Sequence, residues 1–179
     1  MKKMKNDFKW LVKIFIFTFI LTIVFSVTSN FFAENLGVFL SLLVLILIII
    51  LGVIFDIIGV AISSSPFAPF TAMASRKKSG AKESIYILKN ADKASNICND
   101  ILGDIAGIVS GALGFKIATR ISFIYDINIA AIALIMASFI ASLTVIGKAL
   151  GKTYGINNSK EVVEVVGKVL YKLKFKKGS

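Results

Sequence analysis

The chain has 179 residues, of which 56% are hydrophobic, and carries a formal net charge of +11 with one cysteine and no histidine. One cysteine excludes an internal disulfide bond, and the lack of histidine removes the commonest general base and transition-metal ligand. Because several apolar runs reach about 20 residues, the length that crosses a bilayer, the composition indicates a small polytopic membrane protein.

Four apolar segments predict an all-α fold, a membrane helical bundle with four transmembrane helices. These segments are residues 14–32, 36–62, 97–121 and 129–146. The first segment follows a basic start in which Trp10 is placed like an interfacial anchor. It is too long for a signal peptide, and no small-residue cleavage site follows it.

The segments between and after these runs are more polar. Two prolines after Ser65 end the second helix, since proline has no amide donor and restricts the residue before it. Residues 70–96 predict one or two short helices at the membrane surface. The tail from Lys148 predicts a C-terminal amphipathic helix (about 153–179) with a basic end suited to anionic headgroups.

The positions of the basic residues predict the orientation in the membrane. With four spans and both termini in the cytoplasm, all but two of the 21 Lys and Arg residues are cytoplasmic, and the exceptions are Lys116 and Arg120. This agrees with the positive-inside rule, so we expect a multi-pass protein of the cell membrane. Because the lysines flank apolar runs and are not interleaved with aromatics on an exposed face, no nucleic-acid partner is expected.

Carboxylates and glycines recur together in the second and third segments. At about 100° per residue, Asp100 and Asp104 share one helical face with nearby glycines, and Asp56 repeats the pattern in the second segment. Glycines at such spacing let another helix approach closely in lipid. The glycines predicted to pack are Gly52, Gly59, Gly103, Gly107 and Gly111.

A carboxylate inside the membrane is costly unless it meets a cation, a proton or a hydrogen-bond donor. Oxygen-only ligands suit a hard cation such as Mg²⁺ or Na⁺. We therefore predict a cation site open to the cytoplasm, with Asp56 and Asp104 as the metal ligands. Further oxygens come from Ser63, Ser64, Asn99 and Asp100.

Other interpretations of these residues remain open at this point. Asp100 also fits a helix start, where a negative charge is favoured, and Asp100 and Asp104 also fit a pair that shares a proton. The serines after Ile62 also fit a polar helix exit. Cys98 fits a small packing residue.

From about Asp56 to Leu173 the layout resembles the membrane domain (DUF21) of the CNNM/CorB magnesium-transport family. That domain has a span ending in a Ser- and Ala-rich stretch, a basic surface segment, a span opening with a Gly-Asn-Asn type motif, and a last span ending in Gly-Glu-x-x-Pro-Lys. The counterparts here are Ile62–Ser65, Arg76–Lys82, Asn90–Lys93, Cys98–Gly103 and Gly147–Lys152.

The resemblance implies a family-like membrane domain in residues 36–179, and residues 1–35, a basic segment and an extra transmembrane helix, precede that domain as a departure from the family. The resemblance further implies a homodimer, an acidic cavity facing the cytoplasm, a cation site and no enzymatic activity. The sequence departs from the family pattern because no acid lies in residues 63–70, and Lys148 and Gly151 replace the last Glu and Pro. The family's CBS-pair and C-terminal domains have no counterpart in these residues.

Two functions follow from this sequence. The first is a transporter domain coupled to Mg²⁺ or Na⁺, in contact with the lipid bilayer and without a further cofactor. The alternative is a non-transporting scaffold whose glycine and alanine faces serve assembly. An enzyme is not expected, since no nucleophile and base pair or metal cluster is apparent.

Overall fold

The computed structural model describes the backbone of residues 2–176 and the side chains of residues 10–29, 31 and 36–173. This part of the chain is almost entirely helical and contains no strand. The lysines up to Lys9 and the basic end from Lys174 onward lie outside the described side chains. The helices are α1 (Lys2–Asn35), α2 (Val38–Ser64), α3 (Ala68–Ser75), α4 (Ala81–Lys89), α5 (Ala91–Asn96), a π-helical segment (Ile97–Gly103), α6 (Asp104–Tyr125), α7 (Ile129–Asn157) and α8 (Ser159–Lys176).

Four helices are long and apolar enough to cross a membrane. They are Trp10–Ser29 within α1, Val38–Ser64, the continuous helix Ala91–Tyr125 formed by α5, the π-helical segment and α6, and Ile129–Asn157. This confirms the predicted membrane helical bundle.

Three boundaries differ from the predictions. The fourth apolar helix does not end at Ile146 but continues to Asn157, and the amphipathic helix α8 begins at Ser159. The third helix begins at Ala91 and not at Ile97, so the short helices before it are two, α3 and α4, in agreement with the predicted one or two. The predicted end of the fourth helix is too early because the prediction places Lys148 and Lys152 in the tail, whereas the glycines beside them continue the helix packing.

The chain divides into two compact units, each described by itself. The first comprises residues up to Ile50 together with Ile105–Leu143. Its core consists of leucine and isoleucine side chains, and Gly114 faces Ile140 there. Arg120 donates a hydrogen bond from Nη1 to the carbonyl oxygen of Leu36, in the break between α1 and α2. The buried core residues are Leu45, Ile49, Leu113, Ile117 and Ile140.

The second unit comprises Leu51–Asp104 together with the chain from Thr144 onward. In it α4 lies directly against α8, because Gly80 and Gly167 allow their backbones to meet. A Cβ atom at Gly80 would stand 2.6 Å from the Lys168 backbone nitrogen. Ser84 Oγ donates to the Val163 carbonyl 3.2 Å away across the same contact. The buried core residues of this unit are Ala61, Ile62, Phe70, Met73, Ala81, Ile87 and Val163.

A second glycine contact joins α2 to the last turns of α7. A Cβ atom at Gly147 or Gly151 would stand within 3 Å of a side-chain atom of Val53 or Ile57, respectively. At Gly155 it would stand 2.9 Å from the Ile57 carbonyl oxygen. These glycines recur every four residues and so lie on one side of α7, which brings its backbone close to α2.

The turn after α3 has a left-handed residue that is not glycine. Lys77 has φ 54°, and its amide nitrogen donates to the Ala74 carbonyl, while the Lys78 amide donates to the Met73 carbonyl. This pair of bonds is the Schellman motif that ends many helices, and glycine is its usual left-handed residue. The turn therefore carries a steric cost at Lys77.

Candidate functional site

Five charged side chains of the second unit come together where α2, α6 and α7 pack. Asp56 is half-buried and lies a little over two turns before the end of α2 at Ser64, which is about 12 Å along the helix axis. The charged groups that act on it electrostatically are Lys148 and Lys152 of α7, together with Asp104 and Asp100. The α2–α7 glycine contact explains this proximity, since each lysine follows a packed glycine directly.

One ion pair joins two helices within this group. Lys148 Nζ lies 3.6 Å from Asp104 Oδ1, and the Asp104 side chain is 65% exposed within the described chain. Charge-assisted hydrogen bonds between ammonium and carboxylate groups are usually about 2.7–2.9 Å long. The pair is therefore loose, and the carboxylate is open on the side that faces away from the lysine.

The π-helical segment supplies the other polar atoms. Asn99, on this segment, packs its amide against Gly59 of α2, where a Cβ atom would overlap the side chain. The Asn99 Oδ1 atom is buried and accepts no hydrogen bond in the described part of the chain. Such wide turns inside α-helices are frequent at functional sites, because they change the direction of the side chains that follow.

Gly103 makes room for the lysine. A Cβ atom there would lie 3.8 Å from Lys148 Nζ, 3.6 Å from the Cys98 carbonyl oxygen and 3.9 Å from the Gly52 carbonyl oxygen. These are ordinary contact distances, so the space at Gly103 admits a methyl group and little more. The lysine amine thus lies against the backbone where two helices are close.

The structure brings together only part of the predicted cation site. Asp56, Asp100 and Asp104 belong to one electrostatic group, in which Asp56 is half-buried and both Asp100 and Asp104 are exposed. Ser63 and Ser64 are exposed at the end of α2, about 10 Å along the axis from Asp56, and Ser63 Oγ donates to the Val60 carbonyl of its own helix. Within the described residues, no group of three or more His, Cys, Asp and Glu side chains has the proximity to hold a metal ion.

The predicted packing glycines fall into two sets. Gly52, Gly59 and Gly103 are buried in the second unit. A Cβ atom at Gly107 or Gly111 would meet nothing within 4 Å. That these two glycines pack against a helix of a second chain stays a prediction.

Sequence reasoning missed the two lysines and the glycines beside them. Lys148 was noted as a departure from the family pattern and assigned to the tail. The available signal was the four-residue spacing of Gly147, Gly151 and Gly155, which is typical of close helix packing in membranes. Extending the fourth helix along that spacing places Lys148 and Lys152 beside α2.

The four long apolar helices, with charged groups placed inside them, define an integral membrane protein of the helical-bundle class. Comparison of the chain with protein-family models, with curated proteins and with solved structures gives no match in any of the three. The geometry of the site is therefore the basis for its function.

Proposed function

We propose that this protein is a cation-coupled membrane transporter in which Asp56 and Asp104 bind the ion in exchange for the amine of Lys148. The observation that carries the proposal is the loose ion pair between Lys148 and Asp104 on membrane-spanning helices. Ionisable residues within such helices are expensive, and they commonly mark ion pathways and proton relays. The resemblance to a magnesium-transport family supports a cation as the cargo.

The charge of the group favours a monovalent cation. Three carboxylates and two lysines give the group a net charge of −1 when all five side chains are ionised. One Na⁺ or one proton neutralises this group, whereas Mg²⁺ overcompensates it and must also compete with two ammonium groups. We therefore propose Na⁺ or H⁺ as the coupling ion in preference to Mg²⁺.

The exchange requires that the lysine and the ion be alternative partners of the same carboxylate. At 3.6 Å the ammonium group makes no tight hydrogen bond, so an entering cation displaces a weak contact. The buried Oδ1 of Asn99 is a further oxygen ligand of the kind that hard cations take. When the ion leaves, the amine of Lys148 limits the cost of an unpaired carboxylate.

Thermal unfolding of the purified full chain, titrated with NaCl, MgCl₂ and choline chloride at constant ionic strength, tests the proposal. A ligand that binds only the folded protein stabilises it by about 2.7 kcal/mol at one hundred times its Kd. We expect Na⁺ or a proton to stabilise the wild type. The effect should disappear in Asp104→Asn and persist in the control Asp126→Asn, which neutralises an exposed carboxylate in the α6–α7 turn.

Lys148→Met gives the sharper result. Removing the competing amine should lower the half-saturating Na⁺ concentration by about tenfold, because a contact worth roughly 1–2 kcal/mol no longer opposes binding. A structural ion pair predicts the opposite, with Lys148→Met and Asp104→Asn both destabilising the protein whatever ion is present. Equal responses of the wild type and Asp104→Asn to every cation and to pH would end the transport proposal.

The second candidate is an assembly scaffold, and the open glycines Gly107 and Gly111 favour it. It predicts that these positions tolerate no bulky side chain in the membrane, while ions have no effect on stability. Crosslinking of the full chain in vesicles, with Gly107→Leu compared with Val109→Leu, separates the two functions.

A further inference from the structure

Helix α8 is attached directly to a membrane-spanning helix. The fourth candidate span ends at Asn157 and α8 begins at Ser159, so a single residue separates them. Successive spans cross a membrane in alternate directions. The end of α2, the start of the helix that begins at Ala91 and the end of α7 therefore lie on one side. The helices attached at these points, α8 among them, must lie close to that membrane surface.

The apolar side of this helix covers nearly half of its circumference, and Val162 and Val166, which pack against the core of the second unit, lie between its buried edge and its open edge. Ser159, Val163 and Gly167 are buried, the last two against α4. A second series of apolar residues begins two positions after Val163, which places it about 200° around the helix from Val163. Its members also recur every four residues. Its members are Val165, Val169 and Leu173, which are 58%, 50% and 60% exposed.

Basic side chains border the open apolar side. Lys172 is exposed and lies about 60° around the helix from Val169, whereas Lys160 lies about 180° from it. The exposed turn Arg76–Lys78 adds three cations, and the contact of Gly80 with the Lys168 backbone holds this turn beside α8. Lys78 of this turn acts electrostatically on Glu164 of α8, so the turn contributes to the charge around this helix.

We infer that the open side of α8 lies in the headgroup region of an anionic lipid leaflet, with Val165, Val169 and Leu173 toward the acyl chains and Lys172 at the lipid phosphates. Two features favour this occupant over a protein partner. The helix starts within one residue of a membrane span. Lys172 and the three cations of the turn outnumber the exposed Glu161, which lies about 40° from Val165 on the same border, so the net charge there is positive and suits anionic lipids. The inference does not depend on the proposed transport.

Nitroxide labels on the full chain in lipid nanodiscs test this placement. The labels are attached at Val169→Cys and, as a control on the opposite side, at Lys160→Cys, both in a Cys98→Ala background. In nanodiscs that contain phosphatidylglycerol, the label at position 169 should collide with oxygen and be shielded from a water-soluble nickel complex. The label at position 160 should stay accessible to nickel.

Lipid composition and charge then separate the possible occupants. Each basic residue near an anionic leaflet strengthens association by about fivefold. We therefore expect Lys172→Gln to raise the phosphatidylglycerol fraction needed for shielding severalfold, with less than a twofold effect for Lys160→Gln.

Three results would overturn the inference. The first is equal nickel access at both labels in anionic nanodiscs. The second is shielding of the label at position 169 that is the same in pure phosphatidylcholine. The third is shielding in detergent that depends on protein concentration, which would identify a second copy of the chain as the occupant.

Discussion

The glycines of α6 and of α7 have the same spacing but different surroundings. Gly151 and Gly155 of α7 lie against α2, so close that a Cβ atom would stand within 3 Å of it. Gly107 and Gly111 of α6 have open space around them. A four-residue glycine spacing therefore shows where a helix is able to approach another helix, and the structure is needed to show where it does. Within this chain the approach occurs beside the charged group.

The largest difference is expected between two alanine substitutions that are chemically identical. Gly155→Ala places a methyl group 2.9 Å from the Ile57 carbonyl oxygen, a backbone atom that cannot move cheaply. We expect a loss of about 1–3 kcal/mol in the free energy of unfolding, as in other overpacked sites. The measurement is unfolding of the purified full chain in mixed micelles with increasing sodium dodecyl sulfate.

Gly111→Ala is the matched control for this substitution. Since a Cβ atom there meets nothing within 4 Å, alanine adds only its better helix propensity, up to about 0.5–1 kcal/mol of stabilisation. If the free energy of unfolding falls as much for Gly111→Ala as for Gly155→Ala, α6 is packed against a second chain. That result would favour the assembly scaffold.

A smaller effect is expected at Lys77, where the backbone has the left-handed conformation that glycine adopts more easily. Lys77 has φ 54° in the Schellman turn after α3, and the left-handed conformation costs a residue with a side chain about 1–2 kcal/mol. Lys77→Gly removes this cost but gives the unfolded chain more freedom, so we expect a net gain of about 0.5–1 kcal/mol. Lys78→Gly, at a residue without a positive φ, should destabilise the protein in the same unfolding experiment.

The smallest effect concerns the ion pair between Lys168 and Glu164. This pair is tight, whereas the pair between Lys148 and Asp104 is loose. Lys168 Nζ lies 2.7 Å from Glu164 Oε1 on the surface of α8, and this hydrogen bond holds the pKa of Glu164 below its usual value. A lowered folded-state pKa adds stability above the unfolded-state pKa, and this stability is lost as the pH falls through the folded-state value. For an exposed pair one helical turn apart the loss is about 0.3–0.5 kcal/mol.

Lys168→Gln should remove that dependence on acid pH, and Lys172→Gln should leave it in place. Thermal unfolding between about pH 6 and pH 3 measures the difference. If both variants lose the same stability in acid, the hydrogen bond from Lys168 is not its source.

The number of membrane helices followed from the sequence because it depends on local composition. Apolar runs of about 20 residues are visible without knowledge of neighbouring helices. The partner of Asp104 did not follow, because Lys148 lies 44 positions further along the chain and its approach depends on glycine packing between two helices. The open surroundings of Gly107 and Gly111 did not follow either, because their spacing shows that they share a face of the helix and not whether another helix covers that face.

The contact between Arg120 and the Leu36 carbonyl has a consequence for biosynthesis. The donor and the acceptor are separated by 84 positions in the chain, and the acceptor is made first. At about 5–20 residues per second, the ribosome takes about 4–17 s to add the intervening residues. During that interval the carbonyl in the α1–α2 break lacks its donor from Arg120, and water or lipid headgroups at the membrane surface can take that place. The arrival of Arg120 then completes the first hairpin after the third span has been synthesised.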